Sequence, residues 1–408
     1  MHILLIHQAY TALDEPGGTR HHEFATYLAV HGQRVTVIAS PVSYLTGAPQ
    51  TAHAAPDDAS ANLTILRAYT YSAIHRSFVH RLFAFLSFMA SSFWIGLRVK
   101  EVDVVWGTSP PIFQGITAWA LARLKGVPFL FEVRDLWPQF AMAVGVLRNR
   151  TLIAASLWLE RFLYRRADHM VVNSPGYLAH VQARGARRVD LIPNSADPQM
   201  FDPADAGEAF RSRHGLGDCF VLLYAGAHGM SNDLGVLLGS ARQLAQKGSP
   251  VRIVLLGDGK EKPALQAQAV QLGLENILFL PPLPKVAMAE ALAGADACLA
   301  ILKPLDEYKT TYPNKVFDYM AAGRPVVLAI DGVIREVVQA AGCGVFANPG
   351  DPAALTEAIE TLAGDRDRCR QMGLAGRRYL VEHFDREKMA QTLLGLLNSM
   401  AGPAAGMR

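Results

Sequence analysis

Short stretches of Val, Ile, Leu and Phe, spaced by helix-forming segments, limit this chain more than any other feature. The first half carries "HILLIH", "VTVIA", "LTILRA", "VDVVWG", "PFLFEV" and "HMVVNS"; the second carries "FVLLYAG", "VRIVLLG", "ILFLPP", "ACLAIL", "PVVLAI" and "CGVFAN". A strand that is apolar at successive positions needs cover on both faces, and helices between such strands supply it, so the pattern predicts parallel sheets in an α/β chain. The two series are comparable, which predicts two doubly wound units in tandem. The stretch Leu191–Cys219 is rich in Pro, Asp, Gly and Ala and resets the pattern before a new first strand at Phe220. The boundaries expected are 1–196 for the first domain and 197–374 for the second. A length of 408 residues, half of them apolar, accommodates both.

A net charge of +3 is too small for a nucleic-acid binder, but its distribution is uneven. Residues 1–196 hold 18 Lys and Arg against 12 Asp and Glu; residues 197–408 hold 21 against 24. A basic first half suits an anionic surface or small molecule. Cys219, Cys298, Cys343 and Cys369 show no Cys-x-x-Cys spacing and read as reduced core residues. "MHILLIHQAY" lacks the features of a signal peptide and reads as a first strand. The longest apolar run, Leu82–Leu97, has 16 residues, short of the roughly 20 needed to span a bilayer. Arg76, His80 and Arg81 precede it, and Arg98 and Lys100 follow, so it reads as a buried helix or as one lying in a headgroup interface. "SLWLERFLYRRADH" adds Arg161, Arg165 and Arg166 beside further aromatics. Residues 48–62 read as a surface loop, and "AGPAAGMR" as a loose tail.

Candidate chemistry concentrates in "TTYPNKVFDYMAAGRPVVLA", Thr310–Ala329. Pro313 and Asn314 open a helix whose unpaired N–H groups suit a phosphate. Lys315 adds positive charge where a structural helix favours an acid, and Asp318 follows on the same face, able to accept from a vicinal diol. The alternative is an ordinary surface pair between Lys315 and Asp318. Two glycine-rich turns also follow strands: Gly226, His228 and Gly229 before a helix capped by Ser231 or Asn232, and Gly257, Gly259 and Lys260. Three such turns would line one crevice at the carboxyl edge of a parallel sheet. Neither a G-x-G-x-x-G nor a P-loop pattern is present. In the first half, Gly17 and Gly18 lie between a strand and a helix, and His21 and His22 open that helix as expected surface residues. Arg134 and Asp135 end a strand, where buried charge is costly without a purpose. Asp135 would orient an acceptor hydroxyl or pair with Arg134, and Glu132 points to the other face.

With these residues in view, the second half resembles the donor domain of GT-B glycosyltransferases of the large retaining family 4. "FDYMAAGRPVV" is similar to that family's "(E)-x-M-A-x-G-x-P-V-V" run, with Asp318 in the place of a ribose-binding Glu and Thr310 where an earlier Glu stands. The family's Arg and Lys are absent from "GAHGMSNDLG", leaving Lys260 and Lys315 to face the diphosphate. "P-[NS]-K-x-x-[ED]-Y-M-A" resembles the branch that builds bacterial O-antigen, capsule and exopolysaccharide units, including N-acetyl-L-fucosamine transferases. In the first half "EPGGTRHHEFATYLAVHGQRVTVIAS", "GTSPPIFQG" and "FEVRDLWPQFAMAVGVL" extend the resemblance, as does "GLAGRRYLVEHF" near the end. The resemblance implies two Rossmann-like domains facing a central cleft, with a C-terminal helix at about 375–400 packing back on the first. It implies catalytic roles for Lys260, Lys315, Arg134 and Asp135. Donor contacts would come from Gly17, Gly18, Gly226, His228, Gly229, Gly259, Thr310, Pro313, Asn314 and Asp318. Neither a metal nor a cofactor beyond the nucleotide-diphosphate sugar is implied. The partners implied are that donor, a lipid-linked or saccharide acceptor and the inner face of the cell membrane, with the protein peripheral in the cytoplasm. Two rival readings are a sugar-nucleotide epimerase and a non-catalytic scaffold that binds nucleotide sugar or lipid.

Overall fold

The computed structural model describes residues 1–43, 47, 61–72 and 78–402. The loop expected over 48–62 falls mostly outside them, as do the start of the basic-flanked run and the tail beyond Gly402. The chain divides into two units. The first holds Met1–Leu13 and Gly17–Pro193 and resumes at Glu387; the second holds Asn194–Arg386 with Asp14–Pro16.

The first unit is built on β1 (His2–Ile6), β2 (Arg34–Ala39), β3 (Leu63–Arg67), β4 (Val104–Ser109), β5 (Phe129–Val133), β6 (His169–Val172) and β7 (Val189–Leu191). All are parallel, in the order β3-β2-β1-β4-β5-β6-β7. Alternation along β1 explains the two cores. Leu4 and Ile6 face a layer with Phe88, Leu121 and Leu163 from the helices Phe78–Arg98, Gln114–Lys125 and Arg150–Arg166. Ile3 and Leu5 face Phe24 and Leu28 of the helix Arg20–Val30, and Leu393 and Leu397 of the helix Arg386–Ala401. Six of the seven strands match the apolar stretches of the sequence. The seventh, β7, is three residues long with Asp190 at its centre, at the sheet edge where one flank needs no partner.

The second unit repeats the plan with β8 (Phe220–Ala225), β9 (Val251–Leu256), β10 (Ile277–Leu280), β11 (Ala297–Ile301), β12 (Val326–Ala329) and β13 (Gly344–Phe346). Their parallel order is β10-β9-β8-β11-β12-β13. The order reverses between β8 and β11, so the turns after these strands diverge and leave a crevice at the carboxyl edge. The helix Arg366–His383 stays with this unit, because Gly373 and Gly376 allow close approach to Gly323 and Cys343. The return to the first unit therefore begins at Glu387, later than the 375 expected. The four cysteines are free, with Cys298, Cys343 and Cys369 buried.

Candidate functional site

The helix Asn314–Ala321 is fixed by its apolar side. Val316, Phe317 and Met320 enter the core, and the Tyr319 hydroxyl accepts from the Ala225 amide at 3.1 Å while reaching the Leu299 carbonyl at 3.3 Å. Those bonds hold the helix against the ends of β8 and β11. Pro313 takes the cap position preceding the helix, with extended backbone and no side-chain cap. Lys315 and Asp318 lie away from the core.

The two do not pair. Lys315 Nζ lies 3.9 Å from the centroid of the Tyr224 ring, is buried, and makes no hydrogen bond among the described residues. Burial pulls its pKa down to about 7. The turn after β8 closes over it: a Cβ on Gly226 would sit 2.7 Å from Lys315 Nζ, and Gly226 has φ +147°. Gly257 and Gly259, at φ +146° and +158°, pack against the same turn, where side chains would strike the Gly226 carbonyl and the His228 backbone. Gly229 shows no such need. His228 is fully buried, with neither ring nitrogen hydrogen-bonded among the described residues. Burial, reinforced by Lys262 and Lys315, lowers its pKa to about 4, so it is a neutral imidazole at neutral pH. Two unsatisfied buried polar groups under one glycine turn are an expensive arrangement for a purely structural site.

Asp318 pairs instead with Lys285, Nζ to Oδ1 at 2.5 Å, and Lys285 also lies 5.5 Å from the Phe201 ring centroid. Asn314 Nδ2 donates to Asp318 Oδ2 at 3.3 Å, and Asn314 Oδ1 accepts from Arg386 Nη2 at 3.5 Å. These contacts orient the carboxylate and leave it acceptor capacity for a diol. Thr310 closes the short turn Asp306–Thr310 and donates to the Glu307 carbonyl at 2.7 Å. Tyr308 of that turn donates to Ser231 at 2.5 Å, tying the segment after β11 to the turn after β8. Ser231 is thereby occupied, and the helix Leu234–Gln246 starts from Asp233 in a left-handed conformation, without a side-chain cap, rather than from Ser231 or Asn232. Lys260 is exposed on the turn after β9, whereas Lys262 is held by the carbonyls of Gly257 and Leu280 at 2.7 and 2.9 Å.

In the first unit the histidines expected at the surface are buried. His21 Nε2 lies 2.7 Å from Glu132 Oε2, and Arg20 Nε donates to Oε1 at 2.9 Å. Arg20 also donates to the carbonyls of Ile192 and Pro193 at 2.6 and 2.7 Å. His22 packs by Tyr10, 3.2 Å from its hydroxyl. Burial lowers the His21 pKa to about 4; burial opposes ionisation of Glu132, but His21 and Arg20 outweigh it and hold the carboxyl well below its usual range. No ion pair joins Arg134 to Asp135 among the described residues: Arg134 Nη2 donates to the Pro110 carbonyl at 3.1 Å. Burial raises the Asp135 pKa to about 6 against the opposing charge of Arg134. Gly17, at φ +151°, would bring a Cβ within 2.9 Å of Thr11 Oγ1, while Gly18 has open space. Lys285, Arg386, Tyr224 and Arg20 are the residues that sequence reasoning missed. The only local signal was a lysine after "PPLP" for Lys285.

Family comparisons accord with this arrangement. Residues 17–195 match the glycosyl transferase 4-like domain, and residues 219–365 match the glycosyl transferases group 1. A D-inositol 3-phosphate glycosyltransferase of Nocardia farcinica is 28% identical over 59% of this chain and 54% of its own length. The chain thus spans little more than half of that relative. The putative colanic acid biosynthesis glycosyl transferase WcaI of Escherichia coli is 24% identical over 76% of this chain and 78% of its own. Among solved structures, sucrose-phosphate synthase from Thermosynechococcus elongatus superposes with a TM-score of 0.78 at 18% identity, covering 97% of this chain and 98% of its own. Anabaena HepE in complex with UDP-glucose gives 0.74 at 17% identity, covering 98% and 100%. The fold is GT-B.

Proposed function

We propose that this chain, which belongs to the group 1, 4-like glycosyltransferases, moves a sugar from a nucleotide-diphosphate donor to a hydroxyl of a lipid-linked or saccharide acceptor. Transfer retains configuration and needs no metal. The single observation that carries this reading is Lys315: a buried amine under a glycine turn at the switch point of a parallel sheet, set over the Tyr224 ring with no hydrogen-bond or carboxylate partner among the described residues. As the bond between sugar and diphosphate breaks, negative charge grows on the leaving group. A cation already desolvated stabilises that charge more than a hydrated one, because no solvent has to reorganise. His228 and the amides of the Gly226 and Gly259 turns complete the phosphate contacts, Pro313 and Asn314 present the helix start, and Asp318 takes the ribose diol.

Lys260 adds a second cation from the turn after β9. Gly17 and Gly18 offer backbone amides, Arg134 contacts the donor sugar, and Asp135 orients the acceptor hydroxyl. The departing phosphate oxygen takes the acceptor proton on the same face of the sugar, so no enzyme nucleophile is required. The donor class is supported by HepE binding UDP-glucose. A role in surface polysaccharide assembly is supported by the similarity to a putative colanic acid biosynthesis glycosyl transferase, and the inner face of the cell membrane is where we place that work. The branch of N-acetyl-L-fucosamine transferases is the assignment we favour.

Donor hydrolysis and transfer are measured with a panel of nucleotide sugars and both acceptor classes. Turnover on at least one pair, lost in Lys315→Ala, is the expected result. Tight donor binding without turnover on any pair would make the chain a nucleotide-sugar-binding scaffold instead.

A further inference from the structure

Away from the donor turns, the first unit carries a concentration of positive charge that its own carboxylates do not balance. A cavity of about 420 Å³ is lined by Trp119, Arg123, Arg165, Arg166, Arg187 and Arg188, with Asp168 the one acid. Asp168 Oδ2 accepts from the Phe129 amide at 2.9 Å, and its single charge offsets only one of the five arginines. None of the five arginines forms an ion pair among the described residues. Trp119 Nε1 is buried on the same wall without a hydrogen-bond partner among the described residues. Five like charges around one hollow repel one another, and an external anion is what relieves them.

A second hollow of about 510 Å³ shares Arg165 and Arg166 with the first and is otherwise lined mainly by apolar groups, including Leu157, Trp158 and Phe162. Trp158 stacks on Phe162 at 5.4 Å yet remains 64% exposed, and Leu152 on the same helix is 42% exposed. A free phosphate gains nothing from exposed Trp and Leu. A lipid bilayer does, because its phosphates meet the arginines while the apolar side chains enter the acyl boundary.

We propose that this double cavity seats the phosphate headgroup of an anionic membrane lipid and anchors the helix Arg150–Arg166 flat against the bilayer. The proposal rests on the membrane-side reading above for its biological sense, but on none of the donor chemistry. No helix among the described residues is long and apolar enough to cross a membrane, so attachment here is a surface event.

Flotation of the full chain with phosphatidylcholine vesicles, with and without phosphatidylglycerol, tests it. Wild type binds the anionic vesicles and is released by salt. Arg187→Glu combined with Arg188→Glu lowers that binding at least about tenfold. Because both residues are exposed, the variant keeps its thermal midpoint and its donor hydrolysis. Trp158→Ser lowers binding about threefold without altering its salt dependence. Equal binding to both vesicle types, or binding indifferent to the arginine variant, overturns the proposal. So does calorimetry in which inorganic phosphate occupies the site as tightly as the vesicles do, which assigns a soluble anion, or an RNA affinity that the same variant abolishes. Unchanged transfer in Lys315→Ala, with vesicle binding still lost in the arginine variant, marks failure of the catalytic reading alone; transfer lost in Lys315→Ala with vesicle binding indifferent to the arginines marks failure of this one alone.

Discussion

Two buried ionic clusters sit at the carboxyl edges of two similar sheets, and they are satisfied in opposite ways. In the first unit each oxygen of Glu132 has a partner, Arg20 on one side and His21 on the other. In the second unit Lys315 Nζ and both ring nitrogens of His228 have no hydrogen-bond partner among the described residues, and Lys315 has only the Tyr224 ring beside it. A buried charge with its partners in place is architecture, since the unit folded around that closure. A buried charge without them costs free energy in the empty protein and is retained because something else completes it. The contrast singles out the proposed donor site better than counting lysines or glycines does.

The strongest way to break the contrast is to exchange the consequences. Glu132→Ala leaves Arg20 buried without its counter-charge and His21 without its hydrogen-bond partner, and lowers stability by about 3–5 kcal/mol in urea titration. Lys315→Met removes a charge that the empty fold holds at a cost, so its urea midpoint stays equal to or above wild type. Turnover nevertheless falls at least about tenfold, through loss of one group stabilising the leaving diphosphate. A neutral Glu132→Ala, or a Lys315→Met chain that unfolds early with unchanged kinetics, would reverse the two roles.

The pH dependence of the second cluster sharpens the same point. Burial brings the Lys315 pKa to about 7. From there up to the ordinary lysine range the unfolded chain holds a proton that the folded chain lacks. Stability therefore rises with pH across that window in the wild type, and this contribution is absent in Lys315→Met. An arriving diphosphate restores the charge, so donor binding takes up a proton above pH about 7 and weakens as pH climbs further. Titration calorimetry in buffers of different ionisation enthalpy reads that uptake directly. Its absence in the wild type would leave Lys315 outside the diphosphate contacts.

How much of this was legible in the sequence follows from the range of the interactions. Twelve of the thirteen strands announce themselves as apolar stretches; the inner ones are buried on both faces, which forces apolar residues at successive positions, and the edge strands β3, β10 and β13 keep enough of that pattern to be read. The edge strand β7, three residues long with Asp190 at its centre, is too short and too polar to show the pattern. The glycine turns were visible, and Gly226, Gly257 and Gly259 do adopt conformations that other residues avoid. What local spacing could not supply was partner choice. Lys315 and Asp318 stand one turn apart, yet Tyr224 takes the first and Lys285 the second. His21 reads as a surface residue until β5 brings Glu132 against it from far along the chain.

Partner choice yields a smaller prediction. Lys285 touches the carboxylate proposed to hold the ribose, so it acts as a positioning residue. Lys285→Met raises the donor KM about fivefold, the cost of one misdirected hydrogen-bonding group, and leaves kcat within about twofold. Lys285→Arg, which can still reach Asp318, recovers most of that KM. A fall in kcat equal to the fall in kcat/KM would place Lys285 at the reacting bond rather than behind the ribose.

The smallest effect is expected at Lys260, the other cation assigned to the diphosphate. It is exposed on the turn after β9, so water and salt already screen it, in contrast to the desolvated Lys315. A solvated charge near a phosphate contributes through long-range attraction, which acts on encounter more than on the transition state. Lys260→Ala should therefore change the donor KM by about twofold at low salt and leave it unchanged at high salt. A salt-independent loss of tenfold or more in kcat would mean that the turn carries Lys260 out of solvent when donor binds. The second unit would then complete its cluster with two cations rather than one.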